Sequence, residues 1–340
     1  MTAAAALIHR LTSFWANQLG GTFLAPGSTL SLAALAITLI VAGWWLVPAH
    51  RSRRPRWRVL ARALFPRRMW RSASGRADLG WFAFSLMGYG LVFGGLTLGA
   101  GQVAAAVEAR LGPGPVAPVW PAWIAAPLLT VALFVAYEFA YWLDHWLSHK
   151  VPAFWQLHRV HHSAESLSIF TNFRVHPLET IKFAAIIALV TGGVRGVALH
   201  VLGPVSDWQI GGTNILLLGF AVAVTHVQHS HLWVSFGPRW GKWLFGPAHH
   251  QIHHSADPAH YDRNFGSSLT IFDRLAGTFY QPAARREALS FGVELLDPRP
   301  HGPMAGLVMP VVRAMRVAAG YSAASASSAR SWAWRFHISA

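Results

Sequence analysis

The chain carries a succession of apolar runs long enough to cross a bilayer, and this restricts the folds open to it. A spanning helix needs about 20 mostly apolar residues, because hydrocarbon offers the backbone no outside hydrogen-bond partner. Five stretches approach that length: 29–48, 80–100, 122–143, 181–203 and 208–226. The second has no charged residue and the third has one, Glu138. The fourth is the weakest, since Gly192-Gly193 and Arg195 interrupt it. Only 12% of the residues are charged, against roughly 25% in soluble domains. The pattern predicts an all-α fold, a polytopic membrane helical bundle of about four to five spanning helices.

Charge orients the bundle. The segment 51–71 holds nine arginines and no acid, and it directly follows the first run. Basic loops beside spans stay cytoplasmic. A formal charge of +15 would also suit a nucleic-acid binder, but a basic loop pinned between two spans faces anionic lipid head groups instead. No nucleic-acid partner is expected. The first residues lack the compact basic start and apolar core of a signal peptide. If the basic loop is cytoplasmic, alternating spans bring the segments after 143 and after 226 to that same side. The expectation is a multi-pass protein of a bacterial inner membrane, with a histidine-rich helical cap facing the cytoplasm.

That cap is where the chemistry gathers. His145 and His149 form an H-x-x-x-H, and His158, His161 and His162 an H-x-x-H-H. His250, His253 and His254 repeat the H-x-x-H-H. Positions i, i+3 and i+4 share one helix face, and imidazole is a good transition-metal ligand. Adjacent helical residues diverge by about 100°. His161 and His162, like His253 and His254, therefore suit two neighbouring ions better than one. Cysteine is absent, which excludes disulfides, thiolate zinc sites and cysteine-held iron–sulfur clusters. In the third region His226, His229 and His231 form a looser set, one or two of which would complete the site. Asp144, Glu165, His176 and Asp262 are candidates for the outer residues that orient ligand rings. His249 and His260 flank the ligands, His200 reads as structural, and His9, His50, His301 and His337 read as incidental.

The order of these motifs resembles the membrane-bound fatty acid hydroxylase/sterol desaturase superfamily. His145 with His149, and His158-Arg-Val-His161-His162-Ser, are similar to its first two histidine boxes. Ser163 to Glu179 looks like the stretch that follows them, and Gln228-His229-Ser like the isolated histidine after the second hairpin. Pro247-Ala-His-His250-Gln-Ile-His253-His254-Ser is similar to the last box. Asp262-Arg-Asn264-Phe-Gly266 through Phe272-Asp273-Arg274-Leu-Ala276-Gly277-Thr278 resembles the closing signature. The family often has tryptophan where Phe272 stands and phenylalanine where Ala276 stands. The resemblance covers about 125–280, less than half the chain.

What the resemblance implies is two non-haem iron ions that activate O2 against a C–H bond of a membrane lipid. Fatty acyl, sterol-like, isoprenoid and ether lipids, and both hydroxylation and desaturation, stay open. With no haem or flavin module in the chain, separate reductase and carrier proteins would supply electrons. Acids are scarce near the boxes, so neutral histidines would dominate the ligand set. Zinc outcompetes ferrous iron at nitrogen sites and could substitute in purified protein. A zinc-dependent membrane hydrolase is the first alternative, but the H-E-x-x-H glutamate is missing. A non-catalytic metal-binding membrane protein is the second, and it would place ligands at mid-membrane depth. The expected divisions are an N-terminal membrane region over 1–121, a catalytic domain over 122–285 and a partly loose extension over 286–340.

Overall fold

The computed structural model describes residues 3–28, 30–49, 61–62, 65–87, 98–293 and 300–320. Among them the helices in chain order are α1 (Ala3–Phe23), α2 (Leu32–Ala49), α3 (Arg67–Arg71), α4 (Ala73–Leu86) and α5 (Ala100–Leu111). They continue with α6 (Ala122–Lys150), α7 (Pro152–His162), α8 (Pro177–Leu202) and α9 (Ile215–Ala223). Four shorter or terminal helices complete the set: α10 (Gly237–Trp240), α11 (Pro247–His253), α12 (Ile271–Leu275) and α13 (Met309–Ala318). The only sheet among the described residues is the hairpin of β1 (Gln209–Ile210) and β2 (Thr213–Asn214). The fold is thus helical, as the apolar runs require.

Among the described residues two helices, α6 and α8, are long and apolar enough to cross a bilayer. α6 takes in the third predicted run and extends past it to Lys150, so His145 and His149 ride on its last turns. α7 and α8 each start with proline at the first helical position, where the missing N–H costs nothing. His176 caps α8, its Nδ1 accepting from Leu178 N at 3.2 Å.

Two expectations about the spans change, and a third lies largely outside the described residues. The fourth run is not interrupted: α8 is continuous from Pro177 to Leu202. Its glycines are a packing surface instead. A Cβ on Gly192 would stand 2.5 Å from Ala100 O, and one on Gly196 2.7 Å from Ala104 O. Only glycine lets α5 come this close, the small-xxx-small arrangement of apolar helix pairs. Arg195 pairs with the buried Asp207 at 3.0 Å. The fifth run, 208–226, splits into the β-hairpin, the nine-residue α9 and a 3-10 turn at Thr225–Val227. Nine helical residues reach about 14 Å, half of a bilayer core. The second run, 80–100, falls partly on 88–97, outside the described residues, and its flanks belong to two helices, α4 and α5.

A small core joins the N-terminal part to the histidine region. Leu30, Met69, Ile169 and Phe170 are buried together, with Phe23, Leu79, Phe82 and Phe173 against them. A polar knot lies beside it. Arg174, fully buried, donates to Asp78 Oδ1 at 2.8 Å, to Ser74 Oγ at 3.2 Å and to Val160 O at 3.1 Å. Its other terminal nitrogen meets His301 Nδ1 at 2.7 Å, and His301 Nε2 meets Glu165 at 3.1 Å. One cation thus ties α4, the carbonyl preceding His161 and the C-terminal segment. Within the C-terminal extension, α13 packs on α7, and Leu307 O accepts from His176 Nε2 at 3.0 Å. The Ser- and Ala-rich end of that extension, 321–340, lies outside the described residues.

Candidate metal centre

Helix geometry decides where the histidine rings go. The ends of α6, α7 and α11 and the segment after Val227 converge, and nine rings meet in two groups. One holds His145, His149, His158, His162 and His253, and the other His161, His229, His250 and His254. Within each group the nitrogens that could bind an ion lie within 4.8 Å of one another. Each pair of sequence neighbours is divided between the groups, as the 100° step between helical residues anticipates.

Distances inside the groups test whether a metal fits. His162 Nε2 lies 3.2 Å from His149 Nε2, 3.1 Å from His158 Nε2 and 3.1 Å from His253 Nε2. A neutral ring nitrogen offers one proton or one lone pair, so hydrogen bonding cannot satisfy three such contacts. In the second group His229 Nε2 is 2.9 Å from His161 Nε2 and 2.7 Å from His250 Nε2, and His254 Nε2 is 3.1 Å from His250 Nε2. A metal–nitrogen bond of about 2.1 Å with right angles between ligands sets neighbouring nitrogens about 3.0 Å apart. Convergent lone pairs around a cation fit these spacings.

The rings are also in the right protonation state. Burial, reinforced by neighbouring histidines, holds His161, His162, His250 and His254 well below the ordinary histidine value. Burial brings His229 and His253 down to about 3. At neutral pH these rings are uncharged, with lone pairs free for a metal.

The far ring nitrogens show how each imidazole is aimed. In the five-histidine group, His145 Nδ1 meets Phe265 O at 3.0 Å and His253 Nδ1 meets Arg263 O at 2.9 Å. His158 Nδ1 bonds the Glu179 carboxylate, and His149 Nδ1 lies 3.4 Å from Asp262 Oδ1. In the four-histidine group, the Nδ1 atoms of His250 and His254 are buried with no partner among the described residues. The two groups thus have different outer support.

The closing segment 262–278 supplies that support from its backbone. Asp262 and Asn264 adopt the left-handed conformation, φ 58° and 59°, which Asn and Asp tolerate best after glycine. Asn264 fixes the turn, accepting from Tyr280 N at 2.8 Å and donating to His249 O at 3.3 Å. The buried Asp273 accepts from Phe265 N at 2.9 Å and Gly266 N at 2.8 Å. Glu138 on α6 accepts from Ser268 N and Leu269 N, both at 2.8 Å. The loop that orients His145 and His253 is therefore hung from the same helix that carries His145.

Several candidates lie elsewhere. His226 bonds Thr38 of α2 through Nε2 and Ala221 O through Nδ1 at 3.0 Å, away from both groups. His231 is outside them as well. Asp144 bonds Lys182 rather than a ring, Glu165 meets His301, and His176 serves the cap of α8 and Leu307. Asp262 alone of the four outer candidates lies beside one of the nine rings. Glu179 was not singled out by sequence reasoning, yet it holds His158. Its place in the first turn of α8, facing back to α7, gives no local signal.

Comparison with known proteins agrees with this arrangement. The Fatty acid hydroxylase family model matches residues 130–278. Ornithine lipid hydroxylase OlsE of Rhizobium tropici is 30% identical over 203 residues, covering 55% of this chain and 55% of the relative. The alkylglycerol monooxygenase of Xenopus tropicalis is 24% identical over 156 residues, 43% of this chain and 29% of the relative. That of Homo sapiens is 25% identical over 160 residues, 47% of this chain and 32% of the relative. The chain thus spans from under a third to about half the length of these relatives. No solved structure matches it. All nine grouped histidines lie inside 130–278, the stretch over which the chain resembles the Fatty acid hydroxylase family.

Proposed function

We propose that this protein is an O2-dependent di-iron hydroxylase of a membrane lipid. The supporting observation is the pair of all-histidine groups, whose close nitrogen contacts no hydrogen-bond pattern can satisfy. His145, His149, His158, His162 and His253 hold one ion, and His161, His229, His250 and His254 the other. Iron bound there supplies O2 activation and oxidation of an unactivated C–H bond. The relatives named above act on lipids as a hydroxylase and as monooxygenases, which favours hydroxylation over desaturation.

The chain's own residues then have three tasks. Glu179, Asp262 and the carbonyls of Arg263 and Phe265 fix ring orientation and keep the metal-facing nitrogens unprotonated. Phe265 stacks its ring edge-on against His145, His149 and His253 and excludes water from that side. The spans α6 and α8, with α2 beside α9, hold the centre at the bilayer surface, where a lipid tail can reach it. The centre faces the cytoplasm of a bacterial inner membrane, and separate reductase and carrier proteins deliver electrons. Residues 122–285 form the catalytic domain.

A zinc-dependent hydrolase fits less well, since among the described residues the glutamate beside the groups, Glu179, is bound to His158. The deciding experiment is comparative lipid mass spectrometry of a deletion strain complemented with wild type or with His161→Ala. A wild-type product heavier by one oxygen atom, labelled by ¹⁸O2, is expected. A product formed without O2 refutes the proposal, and one lighter by two hydrogen atoms replaces hydroxylation by desaturation.

A further inference from the structure

The surface beside the metal centre is apolar where a water-facing cap would not be. Trp240 is 57% exposed, Trp243 47%, Ile271 40% and Leu275 78%. The turn at 240–243 and α12 form one unit: Thr270 N donates to Trp243 O at 3.1 Å and Thr270 Oγ1 to Lys242 O at 2.6 Å. Cations crown the same rings. The Arg274 guanidinium lies 4.3 Å from the Trp243 ring centre and the Lys242 ammonium 5.7 Å from it, with Arg239 5.5 Å from Trp240. Asp273, the one acid in α12, is buried against Phe265 N, Gly266 N, Thr278 and Trp142. The patch therefore offers only positive charge around its apolar centre.

This patch continues the outer face of a spanning helix. Leu128, Val131, Val135 and Phe139 are exposed along α6 at helical spacing, a stripe that faces lipid. The stripe meets α12 at Phe272, whose ring centre is 5.3 Å from Phe139 and 6.3 Å from Trp142. Ile271 and Leu275 carry it outward. Phe139 precedes His145 by six residues, about 9 Å of helix, so α12 lies on the membrane side of the metal centre. Tryptophan beside lysine and arginine is the composition of a bilayer interface, and the neighbouring cations fit anionic head groups.

We propose that the 239–243 turn and α12 are a second membrane contact, seated in the head-group layer of an anionic bilayer. Ile271 and Leu275 enter the acyl region, Trp240 and Trp243 lie at its edge, and Arg239, Lys242 and Arg274 hold lipid phosphates. The contact fixes the depth of the histidine groups relative to the bilayer, a property that holds whatever reaction they carry out.

The chain has no native cysteine, so single spin labels report cleanly. Leu275→Cys is labelled in the full-length protein in nanodiscs of phosphatidylglycerol and phosphatidylcholine. References are Val131→Cys on the α6 stripe and Ala259→Cys at an exposed turn. Accessibility to O2 relative to a water-soluble nickel chelate is read by power saturation. The expected ratio at position 275 is severalfold above that at 259 and approaches that at 131. A ratio equal to that at 259 overturns the proposal. So does dipolar broadening at 275, which would mark a second copy of the chain on the patch. The triple variant R239E/K242E/R274E is expected to lower the ratio at 275 in phosphatidylglycerol discs, and an unchanged ratio overturns the head-group role.

Discussion

His161 and His162 are neighbours in the chain, yet their rings stand at 88° to one another, 5.7 Å apart between centres, and belong to different histidine groups. One peptide step on α7 thus separates the two proposed metal positions. His161→Ala and His162→Ala should each lower bound iron from about two ions per chain toward one. Both should abolish oxidation. Metal analysis of anaerobically purified protein distinguishes the cases; loss of both ions from either variant would sink the two-group assignment.

The groups should also differ in how tightly they hold metal. His145, His149, His158 and His253 have acceptors at their far nitrogens, whereas His250 and His254 have none among the described residues. Competition with a chelator should remove the ion of the four-histidine group first. Glu179→Gln should cost the five-histidine group roughly 10–100-fold in affinity and leave the other nearly unchanged. Equal release from both groups in wild type and variant would show that this outer support is irrelevant.

Acid should weaken the metal-free fold. His229 and His253 are held at about 3 in the folded protein, against about 6.5 when unfolded. Below 6.5 the unfolded chain therefore takes up protons that the folded chain refuses. Stability is fully present above that value and is lost as pH falls toward 3. Thermal unfolding of metal-free protein should show a Tm lower by at least roughly 5 °C at pH 5 than at pH 7.5. Metal should oppose the fall, because it occupies the same lone pairs. A flat Tm profile across that range would be incompatible with neutral buried rings.

Gly192→Leu should force α5 off α8. Even a methyl group there would meet Ala100 O at 2.5 Å, and overpacking of this kind costs about 1–3 kcal/mol or more. Gly193 has open space at the same step, so Gly193→Leu serves as the control. Unfolding in mild detergent should separate the two variants, and equal stability would argue against the close α5–α8 contact.

Arg174→Met strands Asp78, which is fully buried beside it. Loss of one partner from such a pair costs roughly 3–5 kcal/mol. Adding Asp78→Leu should recover much of that loss. If the double variant is no more stable than the single one, the ion pair is not the source of the defect.

The histidine groups were legible because ligand spacing and helical divergence are local properties of α7 and α11. What escaped the sequence was set by distant partners. His226 was a rival ligand until Thr38, on α2, took its ring. Asp144 drew attention by standing beside His145, but adjacent helical residues point apart, and Lys182 claims it. His301 looked incidental and instead bridges Arg174 and Glu165. Gly192 was counted as an interruption, because composition does not distinguish a breaker from a packing contact. The fifth run did contain a readable sign: Gly211 and Gly212, both at positive φ, form the two-residue turn typical of a hairpin. Apolar length alone concealed it.

Both histidine groups draw on segments far apart in the chain. The five-histidine group starts with His145 and ends with His253; the four-histidine group starts with His161 and ends with His254. During synthesis on the ribosome, the first cannot close until His253 has emerged and the second until His254 has, by which time both long apolar helices have been made. Under the proposed assignment metal acquisition is a late event in the life of the chain, and a product truncated before His253 carries neither ligand set complete.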